Sequence, residues 1–554
     1  MKEGHVFKVI SILILMVGLV LCDNTIFCQP ASAADLWVNS LWSDSSIIPA
    51  HLESGISAFT TVTDAVAASK KGDTVWIYPG RYDQNGEQFP IIINRPISIC
   101  SVEGARETFI SAPPHVSVFE ICAPGTEIRG LTIEHKGSGL VIEADDVCIT
   151  ENRILLSSTD YRVTSCGVWL AGVCRNRIIK NEFIDCGLAI VGPPINDGTG
   201  DNAVLTGLFE VGEKIEWFTT HIVEDNRVNG HQLVYVVDQR DTKITQDAGQ
   251  IILANCENLT IQDVRVCDAS IGIQIAHSKG IKLINCQACN NGLFGFYLVY
   301  SDDCFISDSL LLDNSHGLDL RNSTNNKFRF LQVQGNNQGI FLANSSTNLI
   351  SKSRISKNHV GAYIGDSLYN KLLDSEIIEN DLGIYVRKAG STFISGNYIS
   401  RNKQSGIRLS KASNNSIVEQ NIIEGNKTGI LVLNSDHIFF KQNEVKQSDI
   451  TGLYLYDSVC TYITKSFFEE NNVAIKIVEK AQNTTIYMNS FYGNAFTIQN
   501  EADEPVDARE NWWGTIEESS IVSHLEGPVQ FIPWLEKPPY FSDEASCEVF
   551  VGNG

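Results

Sequence analysis

The stretch Gly317-Leu-Asp-Leu recurs as Gly339-Ile-Phe-Leu, Gly383-Ile-Tyr-Val and Gly429-Ile-Leu-Val along the second half of this 554-residue chain. Each copy is a glycine followed by an apolar alternation, and the equivalent positions are separated by 21 to 23 residues. These positions are 249, 272, 295, 317, 339, 361, 383, 406, 429, 452, 474 and 495, with alanine at the last two. A fixed period of this length is typical of a solenoid, in which every repeat stacks on the one before it.

The repeat unit is too short for two helices, and its alternation has a period of two, so each coil is built of strands. Polar and small residues recur at the predicted corners. Asparagine precedes the glycine by three residues at Asn314, Asn336, Asn358, Asn380, Asn426 and Asn471. Asparagine tolerates left-handed turns, and in stacked coils it can bond its own copy above and below. The sequence therefore predicts an all-β fold, a single-stranded parallel β-helix with three strands per coil and a ~22-residue repeat.

The regions outside the regular repeat divide the chain further. Residues 34–110 are predicted to form an N-terminal cap and the first coils, with a short helix from Val62 to Lys70 that covers the first coil, as an open sheet edge requires. The period fails between Gly187 and Gly249, which predicts a loop insertion near 193–246 within a β-helix of residues 111–510. Residues 511–554 are expected to form a C-terminal cap and an acidic tail.

The N-terminus has the pattern of an export signal. Lys2 and Lys8 precede an apolar run, and Ala31-Ser32-Ala33 offers a cleavage site, so residues 1–33 are predicted to be a signal peptide. A lipoprotein cysteine at Cys22 is the weaker alternative, because leucine precedes it. We expect a secreted, periplasmic or cell-surface protein, monomeric and without a transmembrane segment in the mature chain. The net charge of −23 argues against a nucleic-acid partner, whose phosphates would be repelled.

Several motifs resemble known β-helix proteins. Gly72-Asp-Thr-Val and Tyr78-Pro-Gly-Arg-Tyr resemble the opening of right-handed β-helices of the pectin-lyase-like superfamily, whose carbohydrate-binding and sugar-hydrolysis repeats the glycine pattern also resembles. Asp247 to Cys256 is similar to a segment of the NosD-type family, and Asn511-Trp-Trp-Gly resembles the C-terminal closure of that group. The resemblance implies a right-handed helix over residues 57–536.

Side chains two residues past each glycine should point outward, because their neighbours fill the core. This column reads Gln274, Tyr297, Asp319, Phe341, Tyr363, Tyr385, Arg408, Leu431, Tyr454 and Lys476. In the superfamily, as the resemblance implies, this sheet lines a polysaccharide groove. Sugar C–H groups pack on aromatic rings, and charged side chains accept or donate hydrogen bonds to hydroxyl and carboxylate groups. The candidate polysaccharide-binding residues are Tyr297, Phe341, Tyr363, Tyr385, Arg408 and Tyr454. Stacked aromatic residues also stabilise a parallel sheet without any ligand, so that interpretation stays open.

An enzyme acting in the same groove is the alternative function. A polysaccharide lyase or epimerase needs a base and a cation beside the uronate, and a hydrolase needs two carboxylates. The candidate catalytic residues are Asp319, Arg321 and Arg387. The sequence contains none of the superfamily's usual catalytic strings, and the pairs at Asp145 and Asp302 fit acidic turns, so catalysis is undecided.

The NosD resemblance implies a third function, an accessory role in maturation of a copper enzyme. Copper sites favour clustered Met, Cys and His, but Met488 is the single methionine after the signal and the histidines are scattered. We therefore predict no metal site and no cofactor, with calcium on acidic turns and copper by family analogy as alternatives. Thirteen cysteines follow Ala33, of which Cys166 and Cys186 are candidates for a disulfide between coils.

Overall fold

The computed structural model describes residues 33–42, 47–157, 165–193, 212–411, 413–480 and 482–539. The predicted signal peptide lies outside these ranges, except for Ala33. Within them the fold is a parallel β-helix that is nearly all strand, as predicted. Its three helices are α1 (Val62–Ala68), α2 (Glu216–Thr219) and α3 (Glu518–Ser523). None of these helices is long and apolar enough to cross a membrane.

The first half of the chain forms a stack of three parallel sheets. Sheet A comprises Asp35–Val38, Ala58–Phe59, Thr74–Ile77, Ser98–Ser101, Glu127–Arg129, Cys148–Thr150, Arg177–Ile179 and Ile222–Glu224. Sheet B comprises Gly80–Asp83, Thr108–Ser111, Thr132–His135, Arg153–Leu156, Glu182–Ile184 and Arg227–Val228. Sheet C comprises Ile91–Ile93, Phe119–Ile121, Ser138–Ile142, Cys166–Ala171 and Leu188–Val191.

The second half forms a longer stack of three parallel sheets. Sheet D comprises His231–Val237, Gln250–Ala254, Ile271–Ala276, Phe294–Val299, His316–Arg321, Gln338–Ala343, Val360–Gly365, Leu382–Arg387, Ser405–Ser410, Thr428–Leu433, Thr451–Tyr456, Val473–Val478, Phe496–Asn500 and Leu525–Glu526. Sheet E comprises Lys243–Ile244, Thr260–Gln262, Lys282–Ile284, Phe305–Ser307, Lys327–Arg329, Leu349–Ser351, Lys371–Leu373, Phe393–Ser395, Ile417–Glu419, Phe439–Lys441, Tyr462–Thr464, Thr485–Tyr487, Val506–Asp507 and Val529–Gln530. Sheet F comprises Arg265–Cys267, Gln287–Cys289, Leu310–Leu312, Gln332–Gln334, Arg354–Ser356, Glu376–Ile378, Tyr398–Ser400, Ile422–Glu424, Glu444–Lys446, Phe467–Glu469 and Ser490–Tyr492.

The two stacks meet at a reversal of the chain. Arg227–Val228 pairs antiparallel with His231–Val237 through the turn at Asn229-Gly230, and the second stack grows from there. Residues 194–211 of the predicted 193–246 insertion lie outside the described residues, and residues 212–246 contain α2 and one strand each of sheets A, B, D and E. The sequence does not predict these strands, because the coil at the reversal lacks the repeating glycine.

The outer face of early sheet D closes the end of the first stack. Ile252, Ala254 and Ala276 point away from the second core and pack in the hydrophobic core of the first stack. The side chain of Gln250 accepts a hydrogen bond from Leu188 N at 3.0 Å, and Gln274 Nε2 donates to Ile190 O at 2.6 Å. These amides satisfy the backbone of the last strand of sheet C, which would otherwise be an unpaired edge.

The repeating glycine is a steric requirement of the second stack. A Cβ on Gly317 would lie 2.6 Å from the carbonyl oxygen of Gly339 and 3.0 Å from a methyl group of Val333, which is in the core. The glycine therefore occupies an inner corner where consecutive coils touch. Because this glycine and the residue after it both face inward, the residue before it points outward.

The asparagine ladder forms as predicted. Asn358 is buried, its Nδ2 donates to Asn380 Oδ1 at 3.0 Å and to Val333 O at 3.1 Å, and its Oδ1 accepts from Asn336 N at 2.9 Å. The same bonds recur from Asn291 to Asn426, so each coil satisfies the polar groups of its neighbours.

Aromatic residues and a short helix cap the C-terminal end of the second stack. Trp513 stacks on Phe491 at 5.2 Å and, together with α3, covers the last coil.

Cys166 and Cys186 are buried free thiols, so the predicted bridge between them is wrong. Among the described residues a disulfide joins Cys267 and Cys289, because these side chains are register partners on adjacent strands of sheet F.

Candidate functional site

The predicted outward column of sheet D is continuous at its centre. Phe341 is the register partner of Tyr363, Tyr363 of Tyr385, and Tyr385 of Arg408, on consecutive strands. All four side chains are half-buried on the outer face. We call these four residues the aromatic strip. Three strand spacings of ~4.8 Å give it a length on the order of 14 Å.

The rings of the aromatic strip pack on each other. Phe341 and Tyr363 stack with centroids 4.7 Å apart at 10°, and Tyr385 meets Tyr363 edge to face at 5.4 Å. The guanidinium of Arg408 lies 4.9 Å from the Tyr385 ring. Ring stacking therefore stabilises the sheet, and a ligand would meet mainly ring edges and hydroxyl groups.

Gly365 gives the Tyr363 ring its position. A Cβ on Gly365 would lie 2.5 Å from the hydroxyl oxygen and the Cε1 of Tyr363, so the ring lies along the strand across this glycine. Ser410 Oγ donates to the hydroxyl of Tyr385 at 3.4 Å, which shows that Tyr385 leans in the same direction. Both hydroxyl groups thus lie toward the carboxyl ends of the sheet D strands.

Two predicted binding residues lie apart from the aromatic strip. Tyr297 is only 5% exposed and belongs to the core of the first stack, so its prediction as part of an exposed surface is wrong. Burial raises its pKa to about 12. Tyr454 is half-buried on the same face, but Leu431 stands between it and Arg408 in the column.

Asp319 lies at the centre of a polar cluster on the same column. It accepts hydrogen bonds from Arg321 Nε at 3.0 Å and lies 2.7 Å from Nδ1 of His316, and it is fully buried. Although burial alone raises the pKa of Asp319, the charge of Arg321 and the contact with His316 hold it below its usual value. Aromatic rings surround the guanidinium of Arg321, at 5.7 Å from Phe341 and 5.8 Å from Phe294.

The predicted catalytic residues are only partly brought together. Asp319 and Arg321 are in contact, but Arg387 occupies the equivalent position three coils later, about 14 Å along the stack. Because Asp319 has no exposed surface, a ligand would reach His316, whose side chain is 20% exposed.

His316 was not predicted from the sequence. Strict alternation along the strand would place His316 inside, on the same face as Leu318. Gly317 itself faces inward, however, so the alternation breaks there and His316 points outward. The same position in the preceding coil is Phe294, which stacks on Tyr297 at 4.5 Å. The column immediately before the repeating glycine is the signal that would have found both residues.

Two protein-family models match parts of the chain. Residues 219–403 and 370–525 match the family described as periplasmic copper-binding protein (NosD). The chain belongs to the NosD family. Residues 54–209 of this NosD-family chain also match a family described as protein of unknown function, DUF1565. No curated protein matches the chain.

Solved structures similar to this NosD-family protein are remote in sequence. The mannuronan C-5 epimerase AlgE6 A-module of Azotobacter vinelandii is 13% identical, with 88% of this chain and 98% of that chain covered and a TM-score of 0.25. DFA-IIIase from Arthrobacter chlorophenolicus A6 is 10% identical, with 54% and 83% covered and a TM-score of 0.29. The Dettilon tailspike protein gp208 is 12% identical, with 78% and 63% covered and a TM-score of 0.26.

The family description raises the question of a copper centre. Within the described residues no group of three or more His, Cys, Asp or Glu side chains converges on one point. His316, the histidine in the polar cluster, faces Asp319 and the cation of Arg321, which is not a set of donors for a metal ion. The described residues therefore do not fit copper.

Proposed function

We propose that this NosD-family protein binds an extracellular or cell-surface polysaccharide along the aromatic strip. The observation that supports this most strongly is the in-register, half-exposed column of Phe341, Tyr363 and Tyr385 ending at Arg408. Ring edges and two hydroxyl groups suit the mixed apolar and hydroxylated surface of a sugar chain. Because a stack of hydrogen-bonded coils is rigid, the site is preorganised and its binding costs little ordering entropy.

A screen of the full chain against immobilised polysaccharides tests this proposal. We expect binding to a restricted set of polymers that share one backbone, because the rings and hydroxyl groups have fixed positions. Competition by the same polymer free in solution should remove the signal. Failure to bind any polymer of a broad bacterial, plant and animal panel would contradict the proposal.

The second candidate function, a polysaccharide lyase, hydrolase or epimerase, is favoured by the contact among His316, Asp319 and Arg321. A partly exposed imidazole oriented by a buried carboxylate can accept a proton, and an adjacent guanidinium can neutralise a uronate carboxylate. In a lyase, removal of the C5 proton and loss of the 4-linked sugar would create a C=C bond that absorbs ultraviolet light.

Incubation with uronate polymers separates the enzyme from a pure binding protein. If the cluster is catalytic, absorbance or reducing ends should increase with time, or, for an epimerase, solvent deuterium should enter at C5. The variants His316→Gln and Asp319→Asn should lower the rate by at least about 100-fold. Absence of turnover on polymers that the protein binds would exclude this candidate.

The family description and the N-terminal sequence support a proposal for the cellular setting. Since NosD proteins are described as periplasmic, we propose export through residues 1–33 and a monomeric mature protein. We further propose the division into residues 34–110, 111–510 and 511–554. The accessory role in copper-enzyme maturation rests on the family description alone.

A further inference from the structure

We propose that the polysaccharide is anionic, and that Arg387, Lys388, Arg408 and Lys411 bind its acidic groups beside the aromatic strip. We call these four residues the basic patch. This inference rests on the proposed function and names the class of polymer. It predicts a carboxylate or sulfate group on the sugar units that pack against Tyr363 and Tyr385.

Two consecutive coils place the basic patch at one end of the strip. Arg408 is the register partner of Tyr385, and Arg387 is that of Ser410, so the two arginines are diagonal neighbours on the sheet, ~7–8 Å apart. Lys388 and Lys411 follow these strands at equivalent turn positions, both with left-handed backbone, φ 52° and 55°. Arg387, Lys388 and Lys411 therefore lie on one side of the column, toward which the tyrosine hydroxyls point, and Arg408 ends the column itself.

The local charge is opposite to that of the whole chain. The protein carries a net charge of −23, yet Asp366 is the acid paired with the basic patch, 3.9 Å from Lys388 Nζ. Among the described residues no ion pair joins Arg408 or Lys411 to a carboxylate, and the buried Nε of Arg408 has no hydrogen-bond acceptor. In contrast, Lys403, at the amino ends of the sheet D strands, forms an ion pair with Asp381 at 2.7 Å.

An acidic sugar polymer matches this arrangement. Guanidinium groups bind carboxylate and sulfate oxygens through paired, charge-assisted hydrogen bonds. The neighbouring hydroxyl of Tyr363 raises the pKa of Arg387, so the cation lies close to this ring and both would act on the same sugar unit. The Debye length of ~8 Å at physiological salt keeps the distant negative charges from cancelling this local field.

The test compares polygalacturonate with its fully methyl-esterified form, and chondroitin sulfate with dextran, by calorimetry on the full chain. The double variant Arg387→Gln/Arg408→Gln should bind the acidic polymers at least about tenfold more weakly, with a shallower salt dependence. The control Lys352→Gln/Lys371→Gln removes two exposed cations from the sheet E side of the same stack and should bind within about twofold of the unchanged protein. Equal unfolding midpoints establish that all three proteins are folded.

The outcomes distinguish this inference from the proposed function. If neutral and esterified polymers bind as tightly as acidic ones and the arginine variant is unaffected, the anionic class is wrong while polysaccharide binding stands. If the control loses as much affinity as the arginine variant, the effect is one of overall charge and the basic patch is not a site. If none of the four polymers binds, this inference fails, whereas the proposed function is decided by the wider screen.

Discussion

Replacing Asn358 by alanine should lower the free energy of unfolding by about 4 kcal/mol, because several buried partners lose their hydrogen bonds at once. The Asn358 side chain bonds Asn336 and Asn380 in the coils on either side and Val333 O in the preceding coil. Water cannot replace it, since the ladder is enclosed by the stack. Each unsatisfied buried group costs about 1–3 kcal/mol.

Asn337→Ala is the matched control, since Asn337 is exposed and directly follows Asn336, the ladder asparagine of the preceding coil. Urea unfolding followed by circular dichroism should show a lower midpoint for Asn358→Ala and a change below about 0.5 kcal/mol for the control. Equal midpoints for the two variants would show that the ladder does not hold the coils together.

The sequence predicts this part of the fold well because the constraint is local and repeated. Each coil needs a glycine where it touches the next coil and an asparagine at the corner, so the same letters return at a fixed spacing. Alternation within each strand then identifies Phe341, Tyr363 and Tyr385 as neighbours on one face.

The sequence predicts less where the contact is not repeated. The burial of Tyr297 depends on the first stack packing against the outer face of sheet D, and no periodic pattern records that contact. The outward position of His316 depends on the inward corner at Gly317, which breaks the alternation. The disulfide between Cys267 and Cys289 depends on register, which assigns partners only once the coils are stacked.

The double variant Tyr363→Ala/Tyr385→Ala should weaken binding of the polysaccharide found in the screen by about 100-fold. Two rings at the centre of a binding site contribute about 1–2 kcal/mol each, and their loss also removes two hydroxyl groups. The fold should persist, because both side chains lie on the outer face rather than in the core.

Phe439 and Tyr462 provide a matched control on another sheet. Their rings stack at 5.2 Å and 6° on sheet E, and they are 40% and 37% exposed. The variant Phe439→Ala/Tyr462→Ala removes a comparable stacked pair from the same rod without changing the aromatic strip.

The most direct test of a polysaccharide site on the outer face of sheet D is the affinity of one polymer for the unchanged protein and for these two double variants, measured by calorimetry. We expect the Tyr363/Tyr385 variant to lose about 100-fold in affinity and the Phe439/Tyr462 variant less than about twofold. Equal affinities of the two variants would contradict a polysaccharide site on the outer face of sheet D.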